Sequence, residues 1–217
     1  MNEDNIEIQE IGTEEDIDSD TQIDENKQFT KDIFDWIEVL VQAILAVILC
    51  FSFLFRIATV EGDSMLDTLH DTERVVITNM FYTPKAGDIV VISRNKENSV
   101  FDEDLQNKPI IKRIIATEGQ TVDIDFEQGI VYVDGVELDE PYTKTMSPYQ
   151  KYAKYDFEFP VTVDEGCVFV LGDNRPVSLD SRSSQIGEYG MIDTRYILGH
   201  AVYRVFPFNK IGKIDEQ

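Results

Sequence analysis

Only two cysteines and two histidines occur among the 217 residues. A structural zinc site gathers clustered Cys and His ligands, and a disulfide framework needs paired Cys, so neither organises this chain. Cys50 falls inside an apolar run and Cys167 opens a strand-like one, which makes a bond between them geometrically implausible. Both read as small apolar residues. His70 and His200 read as structural, and no Gly-x-Ser-x-Gly hydrolase motif accompanies them. Bases are scarce too: 19 Lys plus Arg stand against 42 Asp plus Glu, for a net charge of −23. Nucleic-acid binding through the overall field is thereby excluded, because it depends on cations that neutralise phosphates. No metal and no cofactor is implied. Apolar residues make up 42% of the chain, with 13 Phe and 9 Tyr, which is enough for a core and argues against disorder throughout.

Charge is unevenly spread. Residues 1–35 hold 13 acids against two bases, Lys27 and Lys31, and read as a solvated, disordered tail that solubilises or docks. From Val39 to Phe55 follow 17 residues whose only polar members are Gln42 and Ser52, and counting from Trp36 the run reaches 20. As a helix that is about 30 Å, one membrane span. Trp36 suits the headgroup belt and Arg56 marks the other end, so residues 36–56 read as an anchor. A cleavable secretory signal needs a basic start and small residues at its end, whereas this run has an acidic flank and ends in Phe53-Leu54-Phe55-Arg56. A helix buried in a soluble core would need covering on all sides, beyond the reach of a domain this small. Charge on the two flanks does not decide orientation.

Residues 57–217 read as a mainly β domain, an antiparallel sheet or barrel-like arrangement. Arg74–Thr78, Asp88–Ile92, Ile130–Val133 and Val168–Leu171 are short runs rich in β-branched and aromatic residues, punctuated by Pro84, Gly87, Gly129, Gly135 and Gly172. Asp134-Gly135 marks a hairpin turn. The stretch from Tyr142 to Asp156 interleaves Tyr149, Tyr152 and Tyr155 with Lys144, Lys151 and Lys154, and reads as an exposed insertion rather than a nucleic-acid platform.

With His and Cys so sparse, nucleophiles must be hydroxyls, and bases must be Lys or carboxylates. Gly62-Asp63-Ser64-Met65 lies just beyond the anchor, where Gly62 lets the backbone turn and expose Ser64. Taken alone this is an ordinary turn. In Pro109-Ile110-Ile111-Lys112-Arg113-Ile114-Ile115 a lysine sits in an apolar run, with strand alternation placing Lys112 on the face of Ile110 and Ile114. Desolvation there lowers the pKa of Lys112 and makes it a proton acceptor near neutral pH. Gly172 to Arg182 forms a polar loop after the strand ending at Leu171, dense enough in charge and hydroxyls for a hydrogen-bonded network.

In this order behind one anchor, the three segments resemble the nucleophile, lysine and Gly-Asp-Asn-Arg boxes of the type I signal peptidases. These are membrane-bound serine peptidases that remove signal peptides from exported preproteins. Gly129 to Gly135 with Glu140-Pro141-Tyr142 is similar to the family's hairpin, and Leu198 to Pro207 to its last strand. The resemblance implies Ser64 as nucleophile, Lys112 as general base, Ser178 as a hydroxyl that orients the lysine, and Asp180 with Arg182 as a supporting ion pair. The backbone N–H of Ser64 is the natural oxyanion donor; where some members place a second, side-chain donor this chain has Gly62, which resembles the Gram-positive members and leaves the second donor unidentified. It further implies a catalytic domain outside the cytoplasmic membrane with the acidic tail inside, contact with membrane lipid and the secretion translocon, and cleavage after small residues.

The sequence departs from the family in three places: Asp67 stands where Pro is usual, Gln120 replaces a common Asp, and Pro176-Val177 replace Asp-Asn. These changes leave open a catalytically inactive or specialised paralogue that serves as an assembly or chaperone factor for surface proteins. A Ser–Lys peptidase with another task, such as a self-cleaving repressor relative or a conjugation-associated enzyme, is the remaining alternative. Repressor relatives usually carry a DNA-binding domain, and no basic recognition helix is visible here.

Overall fold

A computed structural model describes residues 14–93, 108–143, 158–183, 186–187 and 189–214. The first thirteen residues of the acidic tail and most of the expected Tyr142 to Asp156 insertion lie outside the described residues.

No Gly or Pro occurs between Gly12 and Gly62. Helix α1 occupies most of that interval, Glu14–Leu54, and so begins inside the stretch that composition reads as disordered. The two polar residues of the apolar run are satisfied within the helix: Gln42 Nε2 donates to Glu38 Oε1 at 3.1 Å, and Ser52 Oγ to the Ile48 carbonyl at 2.8 Å. Among the described residues no helix is long and apolar enough to cross a membrane. The side chains of Cys50, Phe53 and Leu54 lie outside that description, so the span read over 36–56 remains an expectation.

The chain divides into two compact units at Ser52 and Phe53, close to the boundary expected at residue 57. The second unit is β throughout. One sheet contains β1 (Arg56–Thr59), β2 (Arg74–Thr78), β3 (Ile89–Ile92) and β4 (Ile110–Thr117). The smaller sheet follows in sequence, with β5 (Thr121–Asp125), β6 (Ile130–Val133), β7 (Val136–Glu137) and β8 (Val161–Thr162). The chain then returns to the first sheet through β9 (Cys167–Leu171), β10 (Met191–Asp193), β11 (Ile197–Phe206) and β12 (Gly212–Lys213). Spatial order is β1-β2-β11-β3-β4-β9-β10, with β12 also on β11, and β7-β6-β5-β8 in the smaller sheet. Every ladder is antiparallel. Among the described residues no ladder joins β10 to β1, so the larger sheet is open where a barrel would close.

Alternation sorts the side chains. Val90 and Ile92 of β3 pack with Ile114 and with Val168 and Val170, whereas Ile89 and Val91 meet Met65, Leu69 and Val75 on the other face. Phe169 and Leu171 pack with Ile115 against Val122, Ile124 and Val131, which seats the smaller sheet on one end of the larger. The turn between β6 and β7 is the expected Asp134-Gly135, at φ 53° and 77°, the left-handed pair that a tight hairpin demands.

Candidate active site

Ser64 stands on a loop whose neck is tied by two backbone bonds, Val60 N–H to the Glu73 carbonyl at 2.8 Å and Thr72 N–H to the Val60 carbonyl at 2.9 Å. Met65 and Leu69 sink into the core at 1% and 0% exposure and anchor the loop from below, leaving Ser64 half-buried at its surface. Gly62 takes φ +80°, and its N–H donates to Asp71 Oδ1 at 2.8 Å. Its amide is therefore already engaged, and Gly62 shapes the turn rather than offering a backbone donor.

Lys112 lies in β4 at 3% exposure, beside Val90 of β3. Its Nζ donates to Ser64 Oγ at 2.8 Å and to the Ile111 carbonyl at 2.9 Å. The register explains the opening that admits the loop. Strand β4 pairs with β3 from Ile110 onward but with β9 only from Arg113, because β9 ends at Leu171. Among the described residues, the β9 ladder therefore does not extend alongside Ile110 to Lys112.

Gly172 begins the loop after β9 and passes directly behind the nucleophile segment. A Cβ at Gly172 would lie 2.5 Å from the Ser64 carbonyl oxygen and 2.6 Å from Ser178 Cβ, and would overlap Ser178 Oγ. Ser178, buried at 5%, is thus a close neighbour of the Ser64 backbone. Asn174 grips the loop: its N–H donates to the Ser64 carbonyl at 3.0 Å and its Nδ2 to the Asp63 carbonyl at 2.9 Å. Among the described residues the Ser64 N–H has no acceptor.

Behind these contacts, among the described residues, lie three ion pairs with little side-chain exposure. Arg113 donates to both carboxylate oxygens of Asp173 at 2.9 and 2.8 Å, and from Nη1 to the Gly87 carbonyl at 3.0 Å. Thr68 Oγ1 donates to the same carboxylate at 2.5 Å. The ring of Tyr142 lies 3.8 Å from the Arg113 guanidinium, and its hydroxyl donates to Glu140 at 3.0 Å. Burial, and then the Glu140 charge, push that phenol well above its ordinary value, which keeps it a donor. Glu140 in turn accepts from Arg175 at 3.0 Å. Arg182 pairs with Asp180 at 2.7 Å, and Asp180 also accepts from the Gly172 N–H at 3.0 Å. Burial alone would push the Asp180 carboxyl up, but the Arg182 charge and the bonds from Arg182 and Gly172 hold it below the usual carboxylate range.

The structure therefore brings Ser64 and Lys112 into contact, sets Ser178 beside them, and places Asp180 with Arg182 at the base of the same loop. Sequence reasoning missed Asn174, Asp173, Arg113 and Thr68 as site residues. Arg113 and Asp173 carried a signal, since each is a lone charge against an apolar strand and their signs are opposite. Two departures from the family pattern lie away from the contact: Val177 faces solvent, and Gln120 staples the β4–β5 turn by accepting from the Thr117 N–H at 3.0 Å.

The family model described as signal peptidase, peptidase S26, matches residues 33–206. The chain belongs to the peptidase S26 signal peptidase family. It is 37% identical over 192 residues to signal peptidase I of Bacillus licheniformis, covering 84% of this chain and 94% of that protein. It is 36% identical over 179 residues to probable signal peptidase I-1 of Synechocystis sp., covering 81% and 83%. The crystal structure of a signal peptidase I from Enterococcus faecalis V583 aligns at TM-score 0.39 and 26% identity, covering 55% of this chain and 97% of that one. Within the S26 frame, the Ser64–Lys112 contact is a candidate for the peptidase centre.

Proposed function

We propose that this chain is a type I signal peptidase that cuts exported preproteins with Ser64 as nucleophile and Lys112 as general base. The 2.8 Å contact between Lys112 Nζ and Ser64 Oγ carries the reading. Burial disfavours a charged amine, and a neutral Lys112 can accept the Ser64 proton while still donating to Ile111. Ser64 Oγ attacks the scissile carbonyl, its proton passes to Lys112, and the oxyanion meets the free Ser64 N–H. On collapse Lys112 returns the proton to the departing amine, leaving an acyl-enzyme. Water deprotonated by Lys112 then attacks the ester and frees the signal peptide. The substrate binds as an added strand, with small residues before the cut as the family resemblance implies. Residues 36–56 anchor the enzyme in the cytoplasmic membrane, with the acidic tail inside and the β unit outside beside the translocon. Nothing favours the inactive-paralogue reading, since Asp67 and Pro176 leave the Ser64–Lys112 contact intact.

The test is cleavage of a preprotein bearing an Ala-x-Ala site by the detergent-solubilised full chain beside Ser64→Ala and Lys112→Ala. Wild type cuts after the Ala, and both variants fold but are inert. Cleavage by a folded Ser64→Ala protein defeats the proposal. Retention in carbonate-washed membranes, lost on deletion of 36–56, checks the anchor.

A further inference from the structure

Glu73 is a carboxylate at 3% side-chain exposure that faces two cations, Arg204 Nε at 2.8 Å and Lys210 Nζ at 3.5 Å, and the His70 imidazole, whose Nδ1 lies at 3.6 Å. The same Arg204 guanidinium donates from Nη2 to the Thr68 carbonyl at 2.6 Å. Arg204 therefore ties together two points of the loop that carries Ser64. One is Thr68, four residues beyond the serine, and the other is the neck, where Glu73 closes on Val60. Strand β11 is irregular on both sides of this residue, with register shifts between Ala201 and Tyr203 and between Arg204 and Phe206. Such irregularities re-aim a side chain, and here they accompany an arginine directed at the loop. Thr68 is also held through its hydroxyl by Asp173, whose partner Arg113 adjoins Lys112. The loop is thus fixed on its main-chain side by β11 and on its side-chain side by the strand that carries the base.

We propose that Arg204, acting through Thr68 and Glu73, is a positioning residue that sets the approach of Ser64 to Lys112. The proposal rests on the Ser–Lys reading above. A lysine at this position reaches Glu73 or the Thr68 carbonyl but cannot fork to both. A cavity of about 400 Å³ lined by Arg204, Thr68, Asp67 and Lys213 lies against the guanidinium, so a small solute can reach its place.

The experiment measures steady-state preprotein cleavage by the full detergent-solubilised chain as wild type, Arg204→Ala, Arg204→Lys and Ser64→Ala, with and without methylguanidine, beside thermal unfolding of each. With Arg204→Ala, kcat per folded molecule falls roughly 10- to 100-fold, the cost of misplacing a nucleophile, while KM stays within about twofold. Arg204→Lys is intermediate, and methylguanidine restores part of the kcat of Arg204→Ala. A purely structural role would lower the folded fraction alone and give no rescue. Wild-type kcat in folded Arg204→Ala, or a change confined to KM, overturns the proposal. If Arg204→Ala does not fold, Arg204→Lys decides, and wild-type kcat there overturns it equally. Activity in Ser64→Ala would remove the Ser–Lys reading itself and this inference with it, whereas an inert Ser64→Ala beside unaffected Arg204 variants removes this inference alone.

Discussion

Asn174 holds the carbonyls on both sides of the nucleophile's N–H, Asp63 through its side chain at 2.9 Å and Ser64 through its main chain at 3.0 Å. The peptide between those carbonyls carries the Ser64 N–H, so Asn174 sets the direction in which the oxyanion donor points. Asn174→Ala keeps the main-chain bond and removes the other. Donors of this kind must be aimed before the charge develops, so kcat should fall about 10- to 100-fold, a loss of roughly 1.4 to 2.7 kcal/mol, with little change in KM. Single-turnover cleavage checks this, and an unchanged kcat would remove Asn174 from the site.

Gly172 has no room for a side chain. Its missing Cβ would meet a backbone oxygen and the Cβ of Ser178, neither of which can swing aside as a flexible side-chain tip would. Gly172→Ala should therefore push the Ser64 segment away from Lys112. We expect a loss of about 1 to 3 kcal/mol in stability from overpacking, and a loss of activity larger than the unfolded fraction explains. Urea unfolding beside an activity assay separates the two, and a fully active, stable variant would mean the backbone relaxes freely here.

Arg113 and Asp173 are at 1% and 0% exposure, which makes their pairing a liability once either is removed. Asp173→Ala leaves a guanidinium with only the Gly87 carbonyl and the Tyr142 ring, and also strips Thr68 of its acceptor. A broken buried pair costs about 3 to 5 kcal/mol, so the thermal midpoint should drop sharply. The double variant Arg113→Met with Asp173→Leu should recover part of it. Equal instability of the single and double variants would show that packing, not the uncompensated charge, is at stake.

Local patterns carried most of the fold into view. β2 and β6 occupy the residues that alternation and branching marked, and Asp134-Gly135 supplies its turn. The Ser64 and Lys112 segments stood out because each breaks the rule of its own neighbourhood, a tight turn beside an apolar helix and a cation among isoleucines. The contacts that orient them could not be read the same way. Arg204 meets Thr68 across 136 positions, and which carboxylate a given arginine finds depends on bulges in β11 that no periodicity announces. The acidic stretch from Glu14 to Asp35 falls within helix α1, since low apolar content argues against a core rather than against a helix that lacks Gly and Pro.

Asp180 supplies the pH test. Its folded pKa lies below the ordinary carboxylate value of about 3.9, since the Arg182 charge and the hydrogen bonds from Arg182 and Gly172 outweigh its burial. A group whose pKa is depressed by folding stabilises above the unfolded pKa and loses that contribution as pH falls through the folded one. Wild type should therefore exceed Asp180→Asn in thermal midpoint by a constant margin between about pH 5 and 7. The margin should shrink below about pH 4 as the unfolded carboxylate takes up its proton. Arg182 keeps its charge throughout that range, so the narrowing reports Asp180 alone. A margin that stays the same down to pH about 3 would place the value of the pair in its shape rather than its charge.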